Sequence, residues 1–253
     1  MEIGGLQKTT LIDFPGRIAC TVFLLNCNFR CPFCYSPELV LQDRIKLQPR
    51  ISEKDFFSFL EGKKGLLEGV VVCGGEPTCS KDLPEFLSKI KKLGFLVKLD
   101  TNGSNPGMLR RLIEGKKKSI AKKDPLSSLT SLPQSGSSLV DYVAMDIKAP
   151  KEKYEKAVGV NVNVKDIEES IKLLKESKVD YEFRTTVIPS LHSKEDILEI
   201  AKWLSPAKNY YLQNFRAEKT INPDFERIKP YSREFLLEIG KEISPYFDNC
   251  GVR

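Results

Sequence analysis

The chain has 253 residues, 41% of them hydrophobic and 29% charged, with a formal charge of +6, one histidine and seven cysteines. That is enough for one globular unit with its own core, at a length where an α/β barrel closes as a single domain. With no apolar run of roughly 18 residues, no charged-then-apolar leader and an odd cysteine count, a membrane span and a disulfide framework are both disfavoured, and a cytoplasmic protein with reduced thiols is expected.

Taken in chain order, apolar runs of strand length alternate with stretches of helical period. "IACTVFLL" (18–25) predicts the first strand. After a cysteine-rich segment, Ser52 caps a helix beginning "SEKDFFSFL", with Asp55 three residues on. "GVVVCGG" (69–75) is a β-branched strand of the kind covered on both faces. The next helix starts at Ser80, places Leu83, Phe86, Leu87, Ile90 and Leu93 on one stripe, and stops at Gly94. Strand "FLVKLD" (95–100) and a helix around Met108 to Ile113 come next.

Residues 115–138, "GKKKSIAKKDPLSSLTSLPQSGSS", interrupt the alternation. Five lysines against one aspartate put +4 of the net +6 there, without an aromatic residue, so the segment reads as a flexible solvated insertion. A basic arm for an acidic partner is the alternative, and a folded nucleic-acid face is not indicated. Beyond it, strand "DYVAMDIK" (141–148) precedes a helix at 164–177 capped by Asn163, with Val164, Ile167, Ile171 and Leu174 on one face. Strand "YEFRTTVI" (181–188), a helix at 193–204 capped by Ser193, strand "NYYLQNF" (209–215) and a helix at 232–243 complete the series. Six strand–helix pairs predict a parallel sheet curled into a full or partial (βα)6 barrel, with an open doubly wound sheet as the alternative.

In such folds, sites gather at the carboxyl ends of the strands. The first strand leads into Cys27, Cys31 and Cys34; the second ends in Gly74, Gly75 and Glu76; the third ends in Asp100, Thr101 and Asn102. Asp146 and Lys148 end the fourth, Arg184 lies on the fifth, and Gln213 ends the sixth. Each has a bland reading as a tight turn or a satisfied polar group, but six strand ends aiming polar groups at one rim is harder to attribute to chance. Three cysteines within eight positions, with His192 remote and Cys20, Cys73, Cys79 and Cys250 scattered, lack the fourth ligand that closes a structural zinc site. They read as an open metal site.

"CNFRCPFC", a C-x3-C-x-aromatic-C pattern with Phe33 as the aromatic, together with "GGEPT", resembles the radical S-adenosylmethionine (SAM) superfamily. Within it, "KTTLIDFPGRIACTVFLLNCNFRCPFC", "LDTNG", "DYVAMDIKAP", "FRTTVIP" and "YYLQNFR" make nearly the whole chain similar to the activating proteins of anaerobic ribonucleoside-triphosphate reductases, a branch of the glycyl-radical activases. The resemblance implies a single radical SAM domain over 1–253, with Cys27, Cys31 and Cys34 holding three irons of a 4Fe-4S cluster and the fourth iron open to SAM. It further implies that Gly74, Gly75 and Glu76 meet the methionine ammonium, that Asp100, Thr101 and Asn102 line the SAM site, and that Arg184 faces the methionine carboxylate or a ribose hydroxyl. Asp100 and Asp146 would bind a monovalent cation, and Lys148 and Gln213 would touch SAM or the partner's loop.

The implied partners are a glycyl-radical enzyme of the anaerobic ribonucleotide reductase kind and a low-potential electron donor such as flavodoxin or ferredoxin. Tyr35 departs from relatives that often carry histidine there, and Cys79 is expected to be a small buried or half-buried residue. The competing reading keeps the radical chemistry on a small molecule, as in 7-carboxy-7-deazaguanine synthases.

Overall fold

The computed structural model describes residues 1–115 and 138–253. The basic segment expected at 115–138 therefore lies, except for its two ends, outside the described residues. Among the described residues eight strands form one sheet in sequence order: β1 (Ile3–Thr10), β2 (Ala19–Leu24), β3 (Gly69–Gly74), β4 (Leu96–Thr101), β5 (Tyr142–Asp146), β6 (Asp180–Val187), β7 (Ala207–Asn214) and β8 (Phe247–Val252). β1 runs antiparallel to β2, and every later neighbour is parallel.

Parallel neighbours in sequence order need a crossover at each step, which brings the helices onto one face of the sheet and turns the other inward as a partial barrel. α1 (Pro37–Val40), α2 (Gln42–Ile45) and α3 (Glu53–Glu61) follow β2. α4 (Leu83–Lys92) follows β3, α5 (Pro106–Glu114) follows β4, and α6 (Tyr154–Val158) and α7 (Val164–Glu176) follow β5. α8 (Lys194–Leu204) and α9 (Arg233–Ile243) follow β6 and β7. The six expected strand–helix units are β2 to β7; β1 and β8 were not expected and extend the sheet at its two ends.

Local chemistry explains most boundaries. Ser52 Oγ accepts from Asp55 N (3.0 Å) at the start of α3. Ser193 and Asp196 form a reciprocal capping box on α8, with Asp196 N donating to Ser193 Oγ (3.3 Å) and Ser193 N to Asp196 Oδ2 (2.8 Å). Two expectations change. α4 begins at Leu83 rather than Ser80, because Pro77–Cys79 form a 3-10 turn first. Asn163 stands at the start of α7 without capping its backbone; its Nδ2 donates instead to Asp166 Oδ1 (3.1 Å).

The sheet has two differently composed faces. Toward the helices, Val70, Val72, Val97, Leu99, Val143, Met145 and Phe183 join Phe86, Leu87, Ile90, Ile167 and Ile197 in one large apolar core. On the inner face Phe14, Ala19 and Val71 close the amino ends of the strands, with Leu96 and Tyr142 packed against them. Above that plug the inward positions turn polar. In-register pairing sets Asp100 beside Ala144, Asp146 beside Arg184, and Thr186 beside Gln213. At the seam after α5, Leu112 O accepts from Leu139 N (2.8 Å) and Ser138 Oγ (3.3 Å).

Candidate functional site

The cysteine loop leaves β2 through Asn26, whose φ of 74° is the one left-handed non-glycine conformation among the described residues. Its side chain holds that turn, donating to Glu2 Oε2 (2.8 Å) and accepting from Gln42 Nε2 (2.7 Å). Arg30 N donates to Val158 O (2.8 Å) at the end of α6, while Pro32 O and Cys34 O accept from Asn222 N (2.9 Å) and Ile221 N (3.0 Å). The loop is thus gripped from several distant parts of the chain. Phe33 is buried and faces Phe225 at 6.4 Å between ring centres, so it anchors the loop.

Cys27 and Cys34 are half-buried and Cys31 is 7% exposed. Phe29 N points at Cys27 Sγ (3.4 Å). Burial pushes the Cys27 thiol up to about 12, helped by the Glu76 carboxylate, and the Cys31 thiol up to about 11; Cys34 rises for the same reason. The Lys148 ammonium pulls all three back toward ionisation, which places the three thiols in one electrostatic neighbourhood. Among the described residues no three His, Cys, Asp or Glu side chains converge on a single ion. A 4Fe-4S cube asks each thiolate for a different iron, so three soft donors spread along one loop fit it.

The end of β3 clamps this loop. Gly75 N donates to Leu24 O and Glu76 N to Asn26 O, both at 2.8 Å. The approach is so close that a Cβ on Gly74 would stand 2.3 Å from Leu24 O, and one on Gly75 2.0 Å from Asn26 O. Glu76, 2% exposed, accepts from Thr78 N (3.0 Å), Thr78 Oγ1 (2.5 Å), Thr101 Oγ1 (2.7 Å) and Asn102 N (2.6 Å). Burial raises its pKa against those four bonds. Asn102 Nδ2 continues to Asn28 Oδ1 (3.0 Å), between the first two cysteines. Glu76, Thr101 and Asn102 therefore brace the ends of β3 and β4 against the loop.

An ion ladder crosses the inner face beneath the rim. Arg184 bonds Asp146 Oδ1 through Nε (2.9 Å) and Asp100 Oδ2 through a terminal nitrogen (3.0 Å). Lys148 takes Asp146 Oδ2 (3.0 Å), and Lys98 takes Asp100 Oδ1. Burial alone would raise the Asp146 pKa, but Arg184 and Lys148 outweigh it and hold the carboxyl well below the usual carboxylate range. Burial likewise disfavours charge on Lys148, yet Asp146 and then Cys31 keep it protonated far above the ordinary lysine range. Deeper in the barrel, fully buried Glu182 receives both terminal nitrogens of Arg253 (2.8 Å each) and the Tyr142 hydroxyl (2.9 Å).

All four carboxylate oxygens of Asp100 and Asp146 are thus engaged by side-chain cations, and they do not fit a bound monovalent cation. Gln213 stands on the inner row beyond Arg184. Cys79 is exposed rather than buried, and Cys73 lies near Asp100, Lys98 and Arg184. Lys98 and His192 were not anticipated. Lys98 was visible as a lysine inside an apolar strand, two positions before Asp100 and so on the same face. His192 backs the Lys148 loop: its Nδ1 accepts from Ile188 N (3.0 Å) and its Nε2–H donates to Lys148 O (2.8 Å).

A partial parallel barrel with a three-cysteine loop clamped at its carboxyl rim defines a class, and comparison with known proteins supplies the family. The chain belongs to the radical SAM superfamily, whose pattern it matches over residues 21–204. Membership implies a 4Fe-4S cluster and SAM. A protein of Methanocaldococcus jannaschii provisionally named glycyl-radical enzyme activating enzyme is 29% identical over 99% of this chain and 95% of its own length. The pyruvate formate-lyase-activating enzyme of Streptococcus mutans is 26% identical over 82% of this chain and 75% of its own. The crystal structure of Streptococcus suis SuiB overlays 91% of the chain with a TM-score of 0.61 at 15% identity, a likeness of fold; the chain spans about half of that protein (48%).

Proposed function

We propose that this radical SAM protein is a glycyl-radical activating enzyme whose partner is an anaerobic ribonucleotide reductase. The observation that carries the reading is the three-thiol loop held over the Asp100–Arg184–Asp146–Lys148 ladder at one rim, with Tyr35 beside the third cysteine 56% exposed. An extended peptide substrate needs such an open approach. The similarity to activating enzymes along nearly the whole chain, and the motifs from "KTTLIDFPGR" to "YYLQNFR", support the choice of substrate.

In this reading Cys27, Cys31 and Cys34 hold the three closed irons. A 4Fe-4S cluster held there would supply the one electron needed to cleave the sulfonium carbon–sulfur bond of SAM to methionine and a 5'-deoxyadenosyl radical. Arg184 and Lys148 present positive charge to the methionine carboxylate, and Gln213 reaches SAM or the entering peptide. Gly74, Gly75, Glu76, Thr101 and Asn102 fix the loop, so that the partner's glycine Cα–H stands where its hydrogen atom is removed to give 5'-deoxyadenosine and a glycyl radical. The electron comes from a low-potential donor of the flavodoxin or ferredoxin kind.

The test is electron paramagnetic resonance on anaerobically reconstituted, reduced protein mixed with SAM and the candidate reductase. A SAM-dependent glycine-type doublet on the reductase is the expected result. Absence of the doublet while 5'-deoxyadenosine accumulates sinks the reductase assignment and redirects the search to another protein or to a small molecule.

A further inference from the structure

The aspartates that the resemblance assigns to a monovalent cation are neutralised by the chain itself. Asp100 has Lys98 on Oδ1 and Arg184 on Oδ2, and Asp146 has Arg184 on Oδ1 and Lys148 on Oδ2. With Glu182, which lies 4.0 Å from Arg184 and is also paired by Arg253, three carboxylates face four side-chain cations, an excess of one positive charge in the ladder before any ligand arrives. A hard cation needs oxygen donors free to converge on it, and here it would enter beside three like charges. The local charge favours an anion instead.

The arrangement is written in two short sequence patterns. Lys98 and Asp100 are two apart on β4 and so share a face, while Lys148 lies two residues past Asp146, the last residue of β5, and turns back to its Oδ2 (3.0 Å). Arg184 stands in register with Asp146 on β6 and reaches back to Asp100. Lys98 is only 1% exposed, beneath Asp100 and below the rim, whereas Lys148 acts on the cysteine thiols. An ammonium buried that deeply is retained only where its partner is fixed. Among the described residues the Lys98 ammonium hydrogen-bonds to Asp100 alone.

We propose that the Lys98 ammonium takes the place of the monovalent cation, so that this protein cleaves SAM without potassium or sodium. Lys98 is a positioning residue: it holds Asp100 neutralised, which leaves Arg184 free to bridge both aspartates and leaves the excess positive charge on the Lys148 side, toward the cysteine loop. The inference rests on the SAM-site part of the function proposed above and not on its glycine substrate.

The test compares reconstituted wild-type protein and Lys98→Met in potassium, sodium or choline chloride at matched ionic strength, which keeps screening constant. The thermal unfolding midpoint and partner-free 5'-deoxyadenosine formation are both read. For the wild type, the same midpoint and rate in all three salts are expected. Lys98→Met keeps the aliphatic stem and opens one Asp100 oxygen; its midpoint should rise in potassium relative to choline, and its rate should be about tenfold lower in choline, as for the loss of one charge-assisted bond.

A wild-type midpoint that rises with potassium, or wild-type cleavage that stops in choline, overturns the proposal. So does a folded Lys98→Met that is indifferent to the salt. If that variant does not fold, the wild-type comparison decides alone. If neither protein forms 5'-deoxyadenosine in any salt, it is the SAM-site reading that fails, and the midpoints still decide the cation question.

Discussion

Replacing Gly75 by alanine asks whether the end of β3 is a clamp on the cysteine loop. The new Cβ would stand 2.0 Å from Asn26 O, 2.5 Å from Asn26 C and 3.1 Å from Cys27 N. Ordinary contact begins at 3.4 Å, so the Asn26 backbone must retreat by ~1.4 Å (3.4 − 2.0). That movement breaks the Gly75 N–Leu24 O and Glu76 N–Asn26 O bonds. Each bond is worth about 1 kcal/mol net and the overpacking about 1–3 kcal/mol, giving a loss of about 3–5 kcal/mol. Urea unfolding reads the stability, and iron bound per chain after anaerobic reconstitution reads the loop. Gly107→Ala is the control: at the second position of α5 its Cβ would meet Asn105 Oδ1 at an ordinary 3.7 Å, and stability should change by less than about 1 kcal/mol. A Gly75→Ala protein that loses under about 0.5 kcal/mol and takes up normal iron would refute the clamp.

Alanine at any one of Cys27, Cys31 or Cys34 should abolish SAM cleavage while the far-ultraviolet circular dichroism stays unchanged, and Cys20→Ala or Cys250→Ala should retain cleavage; loss with Cys20→Ala would show the ligand set to be wrong. Arg184→Leu strands Asp100 Oδ2 and Asp146 Oδ1 in a largely buried site, and urea unfolding should show a loss of about 3–5 kcal/mol, with a cost under about 1 kcal/mol counting against the ladder. His192 carries a pH signature. Burial lowers its folded pKa, so the unfolded chain takes the proton first as pH falls through about 6.5. Its contribution is full above that pH and falls by up to about 1.4 kcal/mol per unit until the folded pKa is passed. The difference between wild type and His192→Gln should therefore shrink from pH 7 to pH 5, and a constant difference would remove the assignment.

Much of the fold was legible because period and punctuation agreed. "GVVVCGG" reads as a buried parallel strand whatever its neighbours, and Ser52 and Ser193 cap the helices that follow them. β1 escaped because "IGGLQKTT" carries two glycines and a polar end; its strand character comes from pairing with the edge of β2. β8, "FDNCGV", likewise takes its conformation from the ladder with β7. At the rim the residues were findable, but their partners were not. Sequence places Glu76 and Thr101 at two strand ends; only the fold brings the Thr101 hydroxyl and the Asn102 amide onto one carboxylate. Lys98 was passed over because a lone lysine in an apolar strand resembles an edge residue until the period-two partner at Asp100 is considered.

The seam at Leu112 and Leu139 has a use outside catalysis. Because those two residues are joined directly, the crossover from α5 to β5 is complete without the 22 residues from 116 to 137. Closing the same gap with about four residues would lower the loop-closure cost by about 1.5 kcal/mol. The seam is therefore a natural graft point, where a reporter domain or an affinity handle could be spliced in, or the chain reopened as new termini, by the amino end of β5 and away from the carboxyl rim where the clamp holds the cysteines.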